Sequence, residues 1–195
     1  MNLKNLLFAS VIVLSANASF AQDSKIATHL VTITVPQIAL LDLEVASGTT
    51  DVTLAGTAPT EAGLPMTFGT AATNATIWMN YSSIVKGALL RNVSVAITNG
   101  AVPSGLKLTV EASAASSDGK GTLGTASSEL TLTNVAQSIV TGIGSSYTGN
   151  LASKGRSLTY KLNYATDEAT NYAALRYVDI ADVSPLTITY TLTDI

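Results

Sequence analysis

From Leu186 to Thr193 every second residue is apolar and every residue between is threonine. Successive side chains of a β-strand point to opposite faces. Leu186, Ile188, Tyr190 and Leu192 therefore share one face and four threonines share the other. A helix would scatter both sets around its axis, so this stretch is legible only as a half-buried strand. The same period recurs along the chain. Val31, Ile33 and Val35 alternate with Thr32 and Thr34 before Pro36, and Ile77, Met79 and Tyr81 alternate with Thr76, Trp78 and Asn80. Val93, Val95 and Ile97 follow, then Leu106, Leu108 and Val110, then Leu130 and Leu132, then Leu158, Tyr160, Leu162 and Tyr164. Between Ile38 and Val45 the apolar parity changes at Leu40-Leu41, which predicts a β-bulge. Val52 and Leu54 predict a short strand.

About nine short strands set apart by Gly, Asn, Ser and Pro predict an all-β fold, an antiparallel β-sandwich. Asn99-Gly100 is a favoured turn pair, and Pro103 and Gly105 behind it predict a connection longer than two residues. Ser113 to Ser128 is expected as a small-residue loop, and Ile139 to Lys154, with Gly142, Gly144 and Gly149, as irregular. Ala173-Ala174-Leu175 is the one place where a short helical turn is expected.

The first 21 residues read as a secretory signal peptide. Lys4 supplies the positive charge, Leu6 to Leu14 the apolar run, and Ser19-Phe20-Ala21 the small-x-small cleavage pattern. The run is roughly nine residues, half of what a membrane-spanning helix needs. Export and cleavage before Gln22 are expected, leaving residues 22–195 as a single domain without a membrane span, secreted or held at the cell surface. The sequence has no cysteine, so stability must come from core packing and sheet hydrogen bonds.

Charged residues are 12% of the chain and the formal net charge is −3. Loss of Lys4 makes it one unit more negative. No basic stripe exists to hold phosphates, which argues against nucleic acid and against anionic lipid. A weakly charged surface of Thr, Ser and Asn leans toward an assembly or a wall.

The chain carries little chemistry. His29 is the one histidine, too few for a His-based metal site or a His-activated nucleophile, and it is read as an ordinary strand residue. Asp42 and Glu44 share a strand face and are expected to be solvated. Asp167-Glu168 and Asp179 with Asp182 lack the dense spacing of a calcium loop. Asn74-Ala75-Thr76, Asn80-Tyr81-Ser82 and Asn92-Val93-Ser94 match a glycosylation pattern common in Ser/Thr-rich chains. There is no P-loop, GxSxG or HExxH, so an enzyme is not expected and no cofactor or metal is implied. Trp78 is the candidate ligand contact, able to stack on a sugar ring if exposed, with a core anchor as the competing role. An outer-membrane barrel is disfavoured by the 6% aromatic content, too little for two interfacial girdles.

Two segments, Ile26 to Val35 (IATHLVTITV) and Pro185 to Ile195 (PLTITYTLTDI), resemble the terminal strands of immunoglobulin-like subunits of bacterial surface fimbriae (pilins). The resemblance implies an immunoglobulin-like sandwich. It also implies that an N-terminal strand of one subunit completes the sandwich of the next, which makes Val31, Ile33 and Val35 the donor-strand candidates. The chain departs from many such subunits in having no disulfide. Tyr190-Thr191-Leu192 is also similar to the Trp-x-Leu motif of cell-wall-binding domains, with Tyr in place of Trp. The function expected is therefore a secreted, non-enzymatic structural or adhesive surface protein that self-associates. The alternative is an extracellular module that binds cell wall or glycan.

Overall fold

A computed structural model describes residues 25–177 and 185–195. The signal-peptide reading, and Asp179 and Asp182, lie outside the described residues. Two units are present, one up to Thr34 and one from Val35 to Ile195. In the first, residues 27–34 lie in no helix or strand.

The second unit is all-β. Its strands are β1 (Ile38–Val45), β2 (Thr73–Ile84), β3 (Arg91–Asn99), β4 (Leu106–Ala112), β5 (Lys120–Ala126), β6 (Leu130–Thr131), β7 (Gln137–Tyr147), β8 (Arg156–Tyr164) and β9 (Thr187–Asp194). All pairing among them is antiparallel. One arm of the sheet runs β6-β4-β8-β2, with β1 added on β2; the other runs β7-β3-β9, with β5 added on β7. The arms meet where Ser82 and Ser83 of β2 pair with Tyr147 and Ser146 of β7. Both contribute to a single core that includes Ile77 and Met79 of β2, Val93 and Val95 of β3, Ile143 of β7 and Leu158 of β8. Two arms over one core give a sandwich-like, unclosed sheet with β1 and β9 at its edges.

The strand count agrees with the sequence pattern, but the membership differs. Val31 to Val35 and Val52 to Leu54 form no strand, although Val52 and Leu54 still pack against the core. In their place are β5 and β7, where a loop and an irregular stretch were expected. In β7, Ile139 and Val140 are adjacent and both fully buried, because the register against β3 shifts beside Val93. Gly142 (φ +72°) allows that shift, since a side chain there would strain the backbone. Period-two alternation is lost, and with it the signal. β5 carries mostly small residues because it lies hard against β7. A Cβ on Gly124 would stand 2.5 Å from the Thr141 carbonyl oxygen.

The bulge expected at Leu40-Leu41 is also absent. Ile38 to Val45 pair with Ile84 to Ile77 in unbroken register, so Leu40 points outward and is 66% exposed. The helical turn falls slightly earlier than expected. A four-residue helix, α1 (Glu168–Asn171), leads into a 3-10 turn at Tyr172–Ala174. Asp167 caps α1 by accepting from the Thr170 amide at 2.7 Å, and these hydrogen bonds lower its pKa.

Two arginines are among the most deeply buried side chains. Arg156, 2% exposed, opens β8 and reaches β5. Its Nε donates to Tyr81 Oη at 3.1 Å and its Nη1 to the Ser113 carbonyl at 2.8 Å. Its Nη2 donates to the carbonyls of Leu123 at 2.9 Å and Gly124 at 2.8 Å. A buried charge is tolerated only when such donors are satisfied. Here the donors staple the two arms together.

Candidate functional site

The second arginine shapes the region where the two edge strands approach. Arg91, at the start of β3, pairs through Nε with Asp194 at 2.5 Å, and Nη1 donates to the Ile38 carbonyl and, at 3.1 Å, to Ser83 Oγ. It thus ties the last residue of β9 to the first residue of β1. Away from this tether, β1 and β9 run in opposite directions and share no ladder.

The side chains that these strands turn inward are Leu41, Leu43 and Val45 from β1, and Ile188, Tyr190 and Leu192 from β9. They pack against the core yet stay only half-buried. Their counterparts on the inner strands, Met79, Val93 and Val95, are fully buried. The difference is a groove of about 390 Å³ lined by Leu41, Leu43, Thr50, Ile188, Thr189 and Tyr190, with Asp42 at its rim. At its floor, Tyr190 Oη meets Tyr160 Oη at 2.7 Å. Burial of the Tyr190 hydroxyl raises its pKa far above the ordinary phenol value, with Tyr160 adding to the effect.

Each groove wall pairs on one side only, β1 with β2 and β9 with β3. An edge strand offers N–H and C=O groups spaced for a further strand. The groove therefore combines an apolar, half-covered floor with backbone groups along both rims. It is suited to receiving an extended segment that supplies an alternating apolar row and main-chain hydrogen bonds.

The three donor-strand candidates are all exposed. Val31 is 70% exposed, Ile33 83% and Val35 71%, and none lies in a strand. Trp78 is not in the core. It lies on the outward face of β2, half-buried, between Glu44 of β1 and Ser157 of β8. Asp42 is exposed, with Oδ1 accepting from the Leu43 amide. No cluster of three or more His, Cys, Asp or Glu occurs among the described residues. Asn74, Asn80 and Asn92 are engaged locally. Asn74 Oδ1 accepts from Thr76, Asn80 is buried beneath the Leu151 carbonyl, and Asn92 Oδ1 accepts from the Gly142 amide.

Sequence reasoning missed both arginines and the groove. A signal for the arginines existed. Arg91 shares parity with Val93, Val95 and Ile97, and Arg156 with Leu158 and Tyr160, so each extends a core-facing row by one position. The groove left no such signal, since it depends on which strands end up at the edges.

Comparison of the chain with protein families, with curated proteins and with solved structures finds no match in any of the three.

Proposed function

We propose that this protein is an exported, non-enzymatic structural or adhesive component of the cell surface that self-assembles by strand addition. In this reading Val31, Ile33 and Val35 of one copy fill the groove between β1 and β9 of another. The observation that carries it is the half-buried state of six core-facing side chains along two unpaired strand edges. Dimensions agree. β9 has eight residues, roughly 27 Å at strand rise, and Ile26 to Val35 is long enough to run alongside it. Burying each apolar side chain of the row contributes about 1.5–3 kcal/mol, and the two rims contribute hydrogen bonds that a lone side chain does not.

The test uses residues 22–195, followed by electron microscopy and light scattering. Fibres or a concentration-dependent series of oligomers are expected. Removing residues 22–35 should leave a folded monomer that no longer assembles. A chain that stays monomeric at high concentration and melts cooperatively by itself would overturn the proposal.

A second reading, a module for wall or extracellular glycan, is favoured by Trp78. Trp78 lies on the outward face, opposite Glu44 in the register of β1 and β2, so a ring on which a sugar stacks and a carboxylate to which a hydroxyl donates share one face. Binding of soluble glycans followed by Trp fluorescence tests it, and no spectral change on titration would remove it.

A further inference from the structure

Asn99 closes β3 opposite Thr187 of β9, and Gly100 follows it out of the ladder. Gly100 has φ +77°, and a Cβ on it would stand 2.9 Å from Leu186 Cδ2. The fold therefore keeps a glycine directly behind this asparagine. That order matters chemically, because the main-chain nitrogen of the second residue can attack the side-chain amide carbon of the first. A side chain on the second residue is what ordinarily hinders the approach.

The other asparagines of the described residues are set up differently. Oδ1 of Asn74, Asn92, Asn163 and Asn171 accepts from main-chain amides, and Nδ2 of buried Asn80 donates to the Leu151 carbonyl. Asn99, Asn134 and Asn150 remain, all exposed and without a side-chain hydrogen bond among the described residues. Val135 follows Asn134 and Leu151 follows Asn150, so a side chain crowds the nitrogen in both pairs. Asn99 alone combines an unengaged amide with a following glycine. Gly100 is exposed too, and its amide makes no hydrogen bond among the described residues. Residues 100–105 lie in no helix or strand, which leaves the peptide room to turn.

We propose that Asn99-Gly100 is a self-modification site, at which the folded protein converts asparagine to aspartate and isoaspartate without an enzyme. The Gly100 nitrogen gives its proton to solvent base and attacks Asn99 Cγ. A C–N bond forms, the Cγ–Nδ2 bond breaks, and Nδ2 leaves as ammonia after taking a proton from water. The product is a succinimide, and water then opens it at either carbonyl. Breaking the new bond at Cγ gives aspartate. Breaking the original peptide bond gives isoaspartate, whose main chain runs through Cβ and Cγ and is one carbon longer. No oxidant, reductant or partner is needed. Both products place a carboxylate opposite Thr187, and isoaspartate also lengthens β3 at the point where β9 begins to pair with it.

The test incubates folded residues 22–195 at mildly alkaline and mildly acidic pH, with circular dichroism to confirm that the sheet persists. Isoaspartyl methyltransferase labelling and fragment mass spectrometry of the tryptic peptide 92–107 read the product. The amide-to-acid mass shift and the label are expected at residue 99, faster at the alkaline pH because the attacking nitrogen must lose its proton. Conversion there is expected to run at least about tenfold faster than at Asn134 or Asn150. The variant Asn99→Thr should fold as wild type does and lose the label. Conversion seen only after the chain is denatured would overturn the proposal, since the fold would then protect the pair. Equal rates at Asn99, Asn134 and Asn150, or a label that survives Asn99→Thr undiminished, would overturn it as well.

Discussion

Tyr160 and Tyr190 join their hydroxyls at 2.7 Å across the interior, the first from β8 in one arm and the second from β9 at the edge of the other. The bond crosses the core directly under the groove. It fixes the depth to which β9 settles and leaves a polar point on an otherwise apolar floor. Replacing Tyr190 by Phe removes one hydroxyl and leaves that of the buried Tyr160 without its partner. A destabilisation of about 1–2 kcal/mol is expected, read from chemical denaturation. An unchanged midpoint would show the bond to be replaceable by water.

Alkaline pH should unfold the protein. Burial raises the pKa of Tyr81, Tyr160 and Tyr190 above the ordinary phenol value, partly offset at Tyr81 by Arg156 and at Tyr160 by its hydrogen bond to Tyr190. A group whose folded pKa is raised stays neutral in the fold while its unfolded counterpart ionises near about pH 10. The stability these tyrosines support is complete below that pH and is lost as pH rises above it. Tyrosinate absorbance of the buried set should therefore appear together with loss of the sheet signal in circular dichroism. Complete titration near pH 10 with the sheet intact would contradict the burial.

Arg156→Met should be among the most damaging single changes. It leaves the carbonyls of Ser113 and Gly124 without this donor, while the Tyr81 hydroxyl and the Leu123 carbonyl keep only their bond to each other, and a loss of about 3–5 kcal/mol is expected. Arg156→Lys keeps the charge but not the planar fork that reaches four oxygens, so it should recover only part of the loss. Equal stability of the Lys variant and wild type would show that charge, not geometry, holds the arms.

Trp78→Ala is expected to cost about 1 kcal/mol, well below the roughly 3–5 kcal/mol of an aromatic deleted from a core. A melting curve decides it. A fall in midpoint as large as that of Arg156→Met would place the ring in the packing and take it off the list of contact residues.

Ile33→Asp places a charge in the exposed row without touching the core. The isolated chain should melt as wild type does, and assembly should fall sharply because a carboxylate would have to enter an apolar groove. Assembly at the wild-type level would exclude this row as the inserted strand.

Period-two alternation made most of the fold readable, because wherever one face is buried and the other solvated the pattern must appear. The β9 row and the β8 row from Leu158 to Tyr164 were legible for that reason. β7 was hidden because its bulge buries the neighbours Ile139 and Val140 together. β5 was hidden because contact with β7 selects glycine and threonine over any apolar alternation. Val31 to Val35 has the clearest strand pattern near the start of the chain yet joins no strand. An alternating row records that a segment is fit for a sheet and is silent on which sheet. The groove escaped notice for a related reason, since it is a property of strand order and not of any one segment.

The Arg156 staple has a chemical consequence for a protein without cysteine. Small exported proteins often join their sheets through a disulfide, which thiols can open. A guanidinium held by carbonyl oxygens and a phenol contains no bond that a reductant can cleave, and no acceptor that takes up a proton in mild acid. The Arg156 join is thus indifferent both to thiols and to mild acidification.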